Sequence, residues 1–119
     1  EISVLNNYAY YLSLEGKQLE RALEMSAKTL EMEPDNAIYI DTYAWILFCL
    51  ERYEEAKAYA EKMIQLNTDM GAVEYHHCGD IFAKCGDISR AVEYWEKARE
   101  HGDTTKILKK KISSALCRA

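Results

Sequence analysis

The sequence predicts an all-α protein, three helical hairpins stacked in register and closed by a final helix. Three observations predict it. The 119 residues include one proline and five glycines, so the punctuation that breaks helices is nearly missing. Small residues recur at a fixed step, with Ala9, Ala44 and Gly79 standing 35 residues apart (44 − 9 = 35; 79 − 44 = 35). Within each unit, apolar residues fall at three- and four-residue spacings, the period of one helix face. At 49% hydrophobic and 29% charged, the chain sits among folded proteins and has room for a single domain.

The units follow from the repeat. Large apolar residues keep the same step (Leu5, Ile40, Tyr75; Leu12, Leu47, Phe82), and a second small set recurs at Ala22, Ala56 and Ala91. Repeat 1 covers about 1–36, repeat 2 about 37–71, repeat 3 about 72–103, and a capping helix about 104–118. The first unit is one residue longer between its small residues (22 − 9 = 13 against 56 − 44 = 12), which places an extra residue in the turn near 16–19. A second extra residue is expected between hairpins, around 68–71. Turns absorb such changes, whereas one residue inserted in a helix rotates every later side chain by about 100°.

In the middle unit, a first helix over about 38–50 puts Ile40, Tyr43, Ala44 and Leu47 on one stripe. After a turn at Glu51-Arg52, a second helix over about 53–66 turns Ala56, Tyr59, Ala60, Met63 and Ile64 inward. Glu54, Glu55, Lys57, Glu61 and Lys62 are its wet face. In the third unit Gly86-Asp87 makes the turn, with Asp87 as N-cap. The small residues belong where the two helices of a hairpin cross, because a large side chain there would hold the axes beyond the usual ~8–10 Å. The last helix presents Ile107, Leu108, Ile112, Ala115 and Leu116 on one side, with Lys106, Lys109, Lys110, Lys111 and Arg118 largely on the solvated rest. An amphipathic helix of this kind suits the end of a repeat array.

These residues resemble the tetratricopeptide repeat, whose pattern is W-x2-L-G-x2-Y, then A-x3-F, then P. The third unit reads Tyr75-x2-Cys78-Gly79-x2-Phe82, then Ala91-x3-Trp95. The second reads Ile40-x2-Tyr43-Ala44-x2-Leu47, then Ala56-x3-Ala60; the first reads Leu5-x2-Tyr8-Ala9-x2-Leu12, then Ala22-x3-Ser26, and ends on Pro34. Ser26 departs from the family aromatic, and Thr68 stands near a missing second proline. The resemblance covers about 3–103 and implies an α-solenoid, a right-handed superhelix whose concave groove is lined by the first helix of each hairpin. It implies a scaffold for protein–protein interaction and no enzyme.

On that reading the 35-residue step sets two rows along the groove: Asn6, Asp41 and His76, then Tyr10, Trp45 and Asp80, with Thr42, Phe48 and His77 at their edge. Tyr10 and Trp45 offer the large, rigid contact area enriched in binding hot spots. The family's carboxylate clamp grips acidic C-termini with lysines, asparagines and an arginine. At the matching positions this chain has Asn6, Tyr10, Thr42, Val73 and His77, so no fixed positive charge remains there. Asp41 and Asp80 point instead to a neutral or basic segment as partner.

The remaining classes are weaker. A net charge of −5 opposes sequence-independent nucleic-acid binding. The turn Ala83-Lys84-Cys85-Gly86-Asp87 also looks like that of pentatricopeptide repeats, which read single-stranded RNA, but acidic groove residues and Trp95-Glu96-Lys97-Ala98 speak for the tetratricopeptide alternative. No apolar stretch reaches the ~20 residues of a membrane span. His76, His77, Cys78 and Asp80 are too closely spaced on one helix to converge on a metal, and no cofactor motif or catalytic constellation is present. The four cysteines read as buried free thiols, slightly favouring a reducing, cytoplasmic setting. The chain reads as an excerpt of a longer protein, whose compartment is therefore open, and a spacer or self-association role is the alternative to a ligand groove.

Overall fold

A computed structural model describes residues 1–66 and 70–118, the last without its side chain. The described residues form seven helices and no strands: α1 Ile2–Glu15, α2 Leu19–Met32, α3 Ala37–Cys49, α4 Tyr53–Gln65, α5 Ala72–Lys84, α6 Ile88–Glu100 and α7 Lys106–Arg118. The chain divides into two compact units, Glu1–Thr68 with α1 to α4 and Asp69–Ala119 with α5 to α7. The extra residue expected around 68–71 and the departure at Thr68 fall on or beside residues outside those described, as does the Arg118 side chain.

Each hairpin turns by the same backbone device. Gly16, Glu51 and Gly86 all take left-handed conformations, with φ of 67°, 63° and 84°. The next residue's N–H reaches back to the helix it has left: Lys17 to the Leu12 carbonyl at 3.1 Å, Arg52 to Leu47 at 2.9 Å and Asp87 to Phe82 at 2.9 Å. This closure satisfies carbonyls that a helix end leaves orphaned. In the first turn two residues, Lys17 and Gln18, separate the left-handed glycine from the next helix, where one suffices elsewhere. The extra residue is thus in the turn, and Gln18 takes a positive φ of 49° to absorb it.

Helix starts follow side-chain chemistry. The Asn36 side chain accepts from the Ile38 and Tyr39 amides at 3.0 and 3.2 Å, and Asp87 accepts from the Arg90 amide at 3.1 Å. The closing helix begins two residues later than the apolar spacing predicts. Thr105 Oγ1 accepts from the Leu108 amide at 3.3 Å, which makes Thr105 the cap and leaves Thr104 outside.

The crossings are bare. Ala9 and Ala22, Ala44 and Ala56, and Gly79 and Ala91 are all buried. A methyl group on Gly79 would lie 2.1 Å from Trp95 Cδ1, so the indole occupies the space a side chain would need. The positions of Ser26, Ala60 and Trp95, one turn beyond the second small residue of each hairpin, are also buried. In the first unit Ile46 of α3 joins Ala9, Leu12 and Ala22 in one cluster, with Leu23, Met25 and Leu50 packed against it.

Two expectations are corrected at the C-terminal end. Leu108, Ile112 and Ala115 are buried, but Ile107 and Leu116 are exposed. They lie about 100° and 80° around the helix from Leu108, at the edges of a stripe too narrow to cover them. Cys117 is exposed as well, about 200° from Ala115, while Cys78 is buried and Cys49 and Cys85 are partly so. Burial pushes the Cys49 thiol above its ordinary value, which disfavours the reactive thiolate.

Two substitutions should move urea stability in opposite directions. Gly79→Ala forces Trp95 out of place and should lower it by about 1–3 kcal/mol. Glu51→Gly relieves a left-handed glutamate at the position glycine holds in the other two turns, and should raise it by a few tenths to about 1 kcal/mol.

Candidate functional site

The predicted groove residues sit on the first helices α1, α3 and α5, and the structure sorts them by burial. In the first unit Asn6, Asp41 and Thr42 are buried, and the Thr42 hydroxyl donates to the Ile38 carbonyl at 3.2 Å. These three form interior, where open groove surface was expected. The cause is packing, since α3 lies against α1, α2 and α4 at once and has little circumference left for solvent. Tyr10, Trp45 and Phe48 remain partly exposed. Trp45 and Phe48, three residues apart and so on one side of α3, stack at 4.6 Å with 14° between their planes. Phe48 meets Tyr53 edge-on at 5.4 Å. Trp45 and Phe48 are thus stacked, partly exposed rings on α3, while Asn6, Asp41 and Thr42 are buried.

In the second unit His77 is buried, while His76 and Asp80, one turn apart on α5, are held by residues outside the predicted rows. Lys111 of α7 donates to Asp80 Oδ1 at 2.9 Å and Oδ2 at 3.0 Å, and lies 2.9 Å from His76 Nε2. Trp95 Nε1 of α6 donates to Asp80 Oδ1 at 3.0 Å. Asp103, in the α6–α7 connection, lies 2.8 Å from His76 Nδ1. Because the ammonium group can only donate, Nε2 accepts and Nδ1 carries the hydrogen offered to Asp103.

This network corrects two expectations. Lys111 is not part of a uniformly solvated lysine face, and Asp80 is not an acidic group open to a basic ligand. One signal for Lys111 was present in the sequence: it stands three residues after Leu108 and four before Ala115, at the edge of the buried stripe, whereas Lys109 and Lys110 do not and are exposed. The Lys111 ammonium also occupies the place that an ion bridging His76 and Asp80 would take. Among the described residues, no group of three or more His, Cys, Asp or Glu side chains is gathered as a metal site. No described helix is long and apolar enough to cross a membrane.

With this geometry in view, solved structures supply the relations. The chain is similar to the first tetratricopeptide domain of Spaghetti (RPAP3) bound to the HSP90 peptide SRMEEVD, with TM-score 0.84 and 15% identity over 99% of this chain and 92% of that one. It is similar to the Sgt2 tetratricopeptide domain from Aspergillus fumigatus, with TM-score 0.83 and 18% identity over 99% and 78%. It also matches YrrB, a tetratricopeptide protein with an unusual peptide-binding site, with TM-score 0.79 and 24% identity over 96% of this chain and 58% of that one. No protein-family model matches the chain. No curated protein matches it either. The fold is that of the tetratricopeptide repeat, an all-α solenoid of helical hairpins.

The Asp103 carboxylate makes the attachment of α7 sensitive to acid. Burial alone would raise its pKa, but the Thr105 hydroxyl at 2.7 Å, the Thr105 amide at 3.0 Å and the His76 ring hold it below the ordinary value. A carboxyl depressed in the folded state stabilises above its unfolded value, near 4, and loses that contribution as pH falls through the folded value. The protection of α7 amides, measured relative to their intrinsic exchange rates, should fall as the pH drops below about 4 in the parent, and this acid step should shrink in Asp103→Asn. An equal step in both proteins would remove the role assigned to Asp103.

Proposed function

We propose that this tetratricopeptide-fold chain is a protein-interaction scaffold that receives a peptide or protein segment on the exposed surface of its first helices. The supporting observation is that Tyr10 of α1 and the stacked pair Trp45 and Phe48 of α3, an aromatic row by the 35-residue step and helix spacing, are partly exposed. Such rings bring large contact area at low conformational cost and dominate interface energetics elsewhere. The Spaghetti domain and YrrB are described with a bound peptide and with a peptide-binding site, respectively, which supports the same use of this fold. On this reading the chain is not an enzyme. Its buried residues Asn6, Asp41, Thr42 and His77 shape the surface from beneath, while His76 and Asp80 belong to the attachment of α7.

The partner class follows from what the surface lacks. Asn6, Tyr10, Thr42, Val73 and His77 provide no lysine or arginine at the clamp positions, and the whole chain carries −5. A segment ending in an acidic run with a free carboxylate would be desolvated without a fixed positive partner. A neutral or basic segment is preferred.

A peptide-array screen followed by titration tests both parts. SRMEEVD should show no saturable binding, and neutral or basic hits should lose at least about tenfold in affinity to the double substitution Tyr10→Ala with Trp45→Ala, the loss expected of a hot-spot aromatic. Circular dichroism must show the double variant folded, because truncating a half-buried ring can itself cost a few kcal/mol. Unchanged affinity in a folded double variant would remove the aromatic row from the binding surface. Tight binding of SRMEEVD would overturn the partner class.

A further inference from the structure

His76 is held at its two ring nitrogens by groups of opposite charge. Nδ1 gives its hydrogen to Asp103 Oδ2 at 2.8 Å. Nε2 takes a hydrogen from Lys111 Nζ at 2.9 Å, while Asp80 Oδ1 lies 3.7 Å away. Among the described residues these are the charged groups in contact with the ring: Asp80 from α5 itself, Asp103 from the α6–α7 connection and Lys111 from α7. What α6 brings to the cluster is the uncharged Trp95 indole, bonded to Asp80.

A ring nitrogen without a hydrogen accepts, and one that carries a hydrogen donates. The bond from Lys111 therefore exists only while Nε2 is bare. Histidine is the side chain whose charge ordinarily changes between about pH 5 and pH 8. A proton taken from solvent onto the Nε2 lone pair ends that bond and leaves two cations 2.9 Å apart. The same proton makes Nε2 a donor toward Asp80, one turn along α5, so a small side-chain rotation brings the 3.7 Å separation to hydrogen-bond distance. Charge permits the exchange. Two carboxylates face one ammonium, so the cluster carries one net negative charge with a neutral ring and none with a protonated one.

Burial decides which group yields. The side chains of His76, Asp80 and Asp103 are 18%, 13% and 12% exposed, and that of Lys111 is 33% exposed. His76 is held further by Asp103 and Asp80 by Trp95, whereas Lys111 reaches the cluster with the end of a flexible four-carbon stem. Lys111 also lines an open groove of about 340 Å³ with Trp95, Ile107, Lys110 and Ser114.

We propose that His76 is a proton-operated latch on Lys111: the neutral ring holds the ammonium at the junction of α5 and α7, and protonation hands Asp80 to the ring and turns Lys111 out into the groove beside Lys110. The latch is distinct from the Asp103 carboxyl, which stays ionised below the ordinary carboxylate value and keeps its bond to Nδ1 in both states. Its effect is a rearranged edge and not a detached helix, because Leu108, Ile112 and Ala115 remain buried beneath α7. As pH falls through the histidine range, the surface of α7 gains a mobile cation where Ile107 and Lys110 are already exposed. This device stands whether or not the first helices bind a peptide.

Nuclear magnetic resonance of the whole chain between pH 8 and pH 5 tests it, above the range in which Asp103 takes up its proton. The His76 ring nitrogens report the proton on Nε2. The Lys111 Nζ shift, read through its side-chain methylenes, reports the ammonium, and the Trp95 indole N–H reports Asp80. At pH 8 the Lys111 resonance should stand apart from those of the exposed Lys109 and Lys110. As His76 protonates it should move onto them with the same midpoint, and the Trp95 signal should shift in step. In His76→Gln, whose amide oxygen accepts from Lys111 but does not titrate, Lys111 should keep its pH 8 position throughout. A His76 ring still unprotonated at pH 5 overturns the proposal. So does a Lys111 resonance that holds its place while His76 protonates, or one that moves equally in His76→Gln. If circular dichroism shows that variant unfolded, the parent decides alone: a shared midpoint for His76 and Lys111 supports the latch, and separate midpoints overturn it.

Discussion

Close approach of two helices at a point where neither carries a bulky side chain is the constraint on which each hairpin depends. Ala9, Ala44 and Gly79 mark that point on the first helices, and Ala22, Ala56 and Ala91 mark it on the second. What surrounds the point can then vary. In the third hairpin Trp95 takes the neighbouring volume, and the partner position must shrink from alanine to glycine because a methyl group would collide with the indole. In the first two hairpins Ser26 and Ala60 stand where Trp95 does, and alanine is tolerated at the crossing. Close packing leaves no room for both to be large.

That exchange of volume reaches the far end of the chain. Trp95, once seated over Gly79, points its Nε1 hydrogen at Asp80, which also receives two contacts from Lys111. Asp80 is thereby shared between α6 and α7, and His76 extends the sharing to Asp103. A largely buried carboxylate is costly unless its oxygens are satisfied, and here the donors come from two other helices. The closing helix is fixed by polar bonds at this edge and by Leu108, Ile112 and Ala115 along its stripe.

The hairpins, their crossings and the position of the inserted residue were legible because each is a local event that repeats, and subtraction isolates what repeats. The turn at Glu51 belongs to the same class: nothing in a glutamate announces a left-handed conformation, but its 35-residue distance from Gly16 and Gly86 does. The candidate site was legible only in part. Tyr10, Trp45 and Phe48 could be placed on the first helices, but the burial of Asn6, Asp41 and Thr42 depends on three helices meeting around α3, which one helix's periodicity cannot express. The Lys111–Asp80–His76 network joins residues 31 and 35 positions apart. It follows from how α7 lies on its hairpin, a relation that no repeat in the sequence encodes because α7 occurs once.

The three hairpins do not contribute equally. The first carries the left-handed Gln18, and among the described residues the two buried side-chain atoms without a hydrogen-bond partner, Asn6 Oδ1 and Ser26 Oγ, are both in it. Each unsatisfied group costs about 1–3 kcal/mol relative to a paired one. In a repeat array, stability is approximately the sum of each unit's own free energy and that of its interfaces with its neighbours. A unit with such internal costs relies on its interfaces more than the others do. Within its compact unit the first hairpin has that interface through α3.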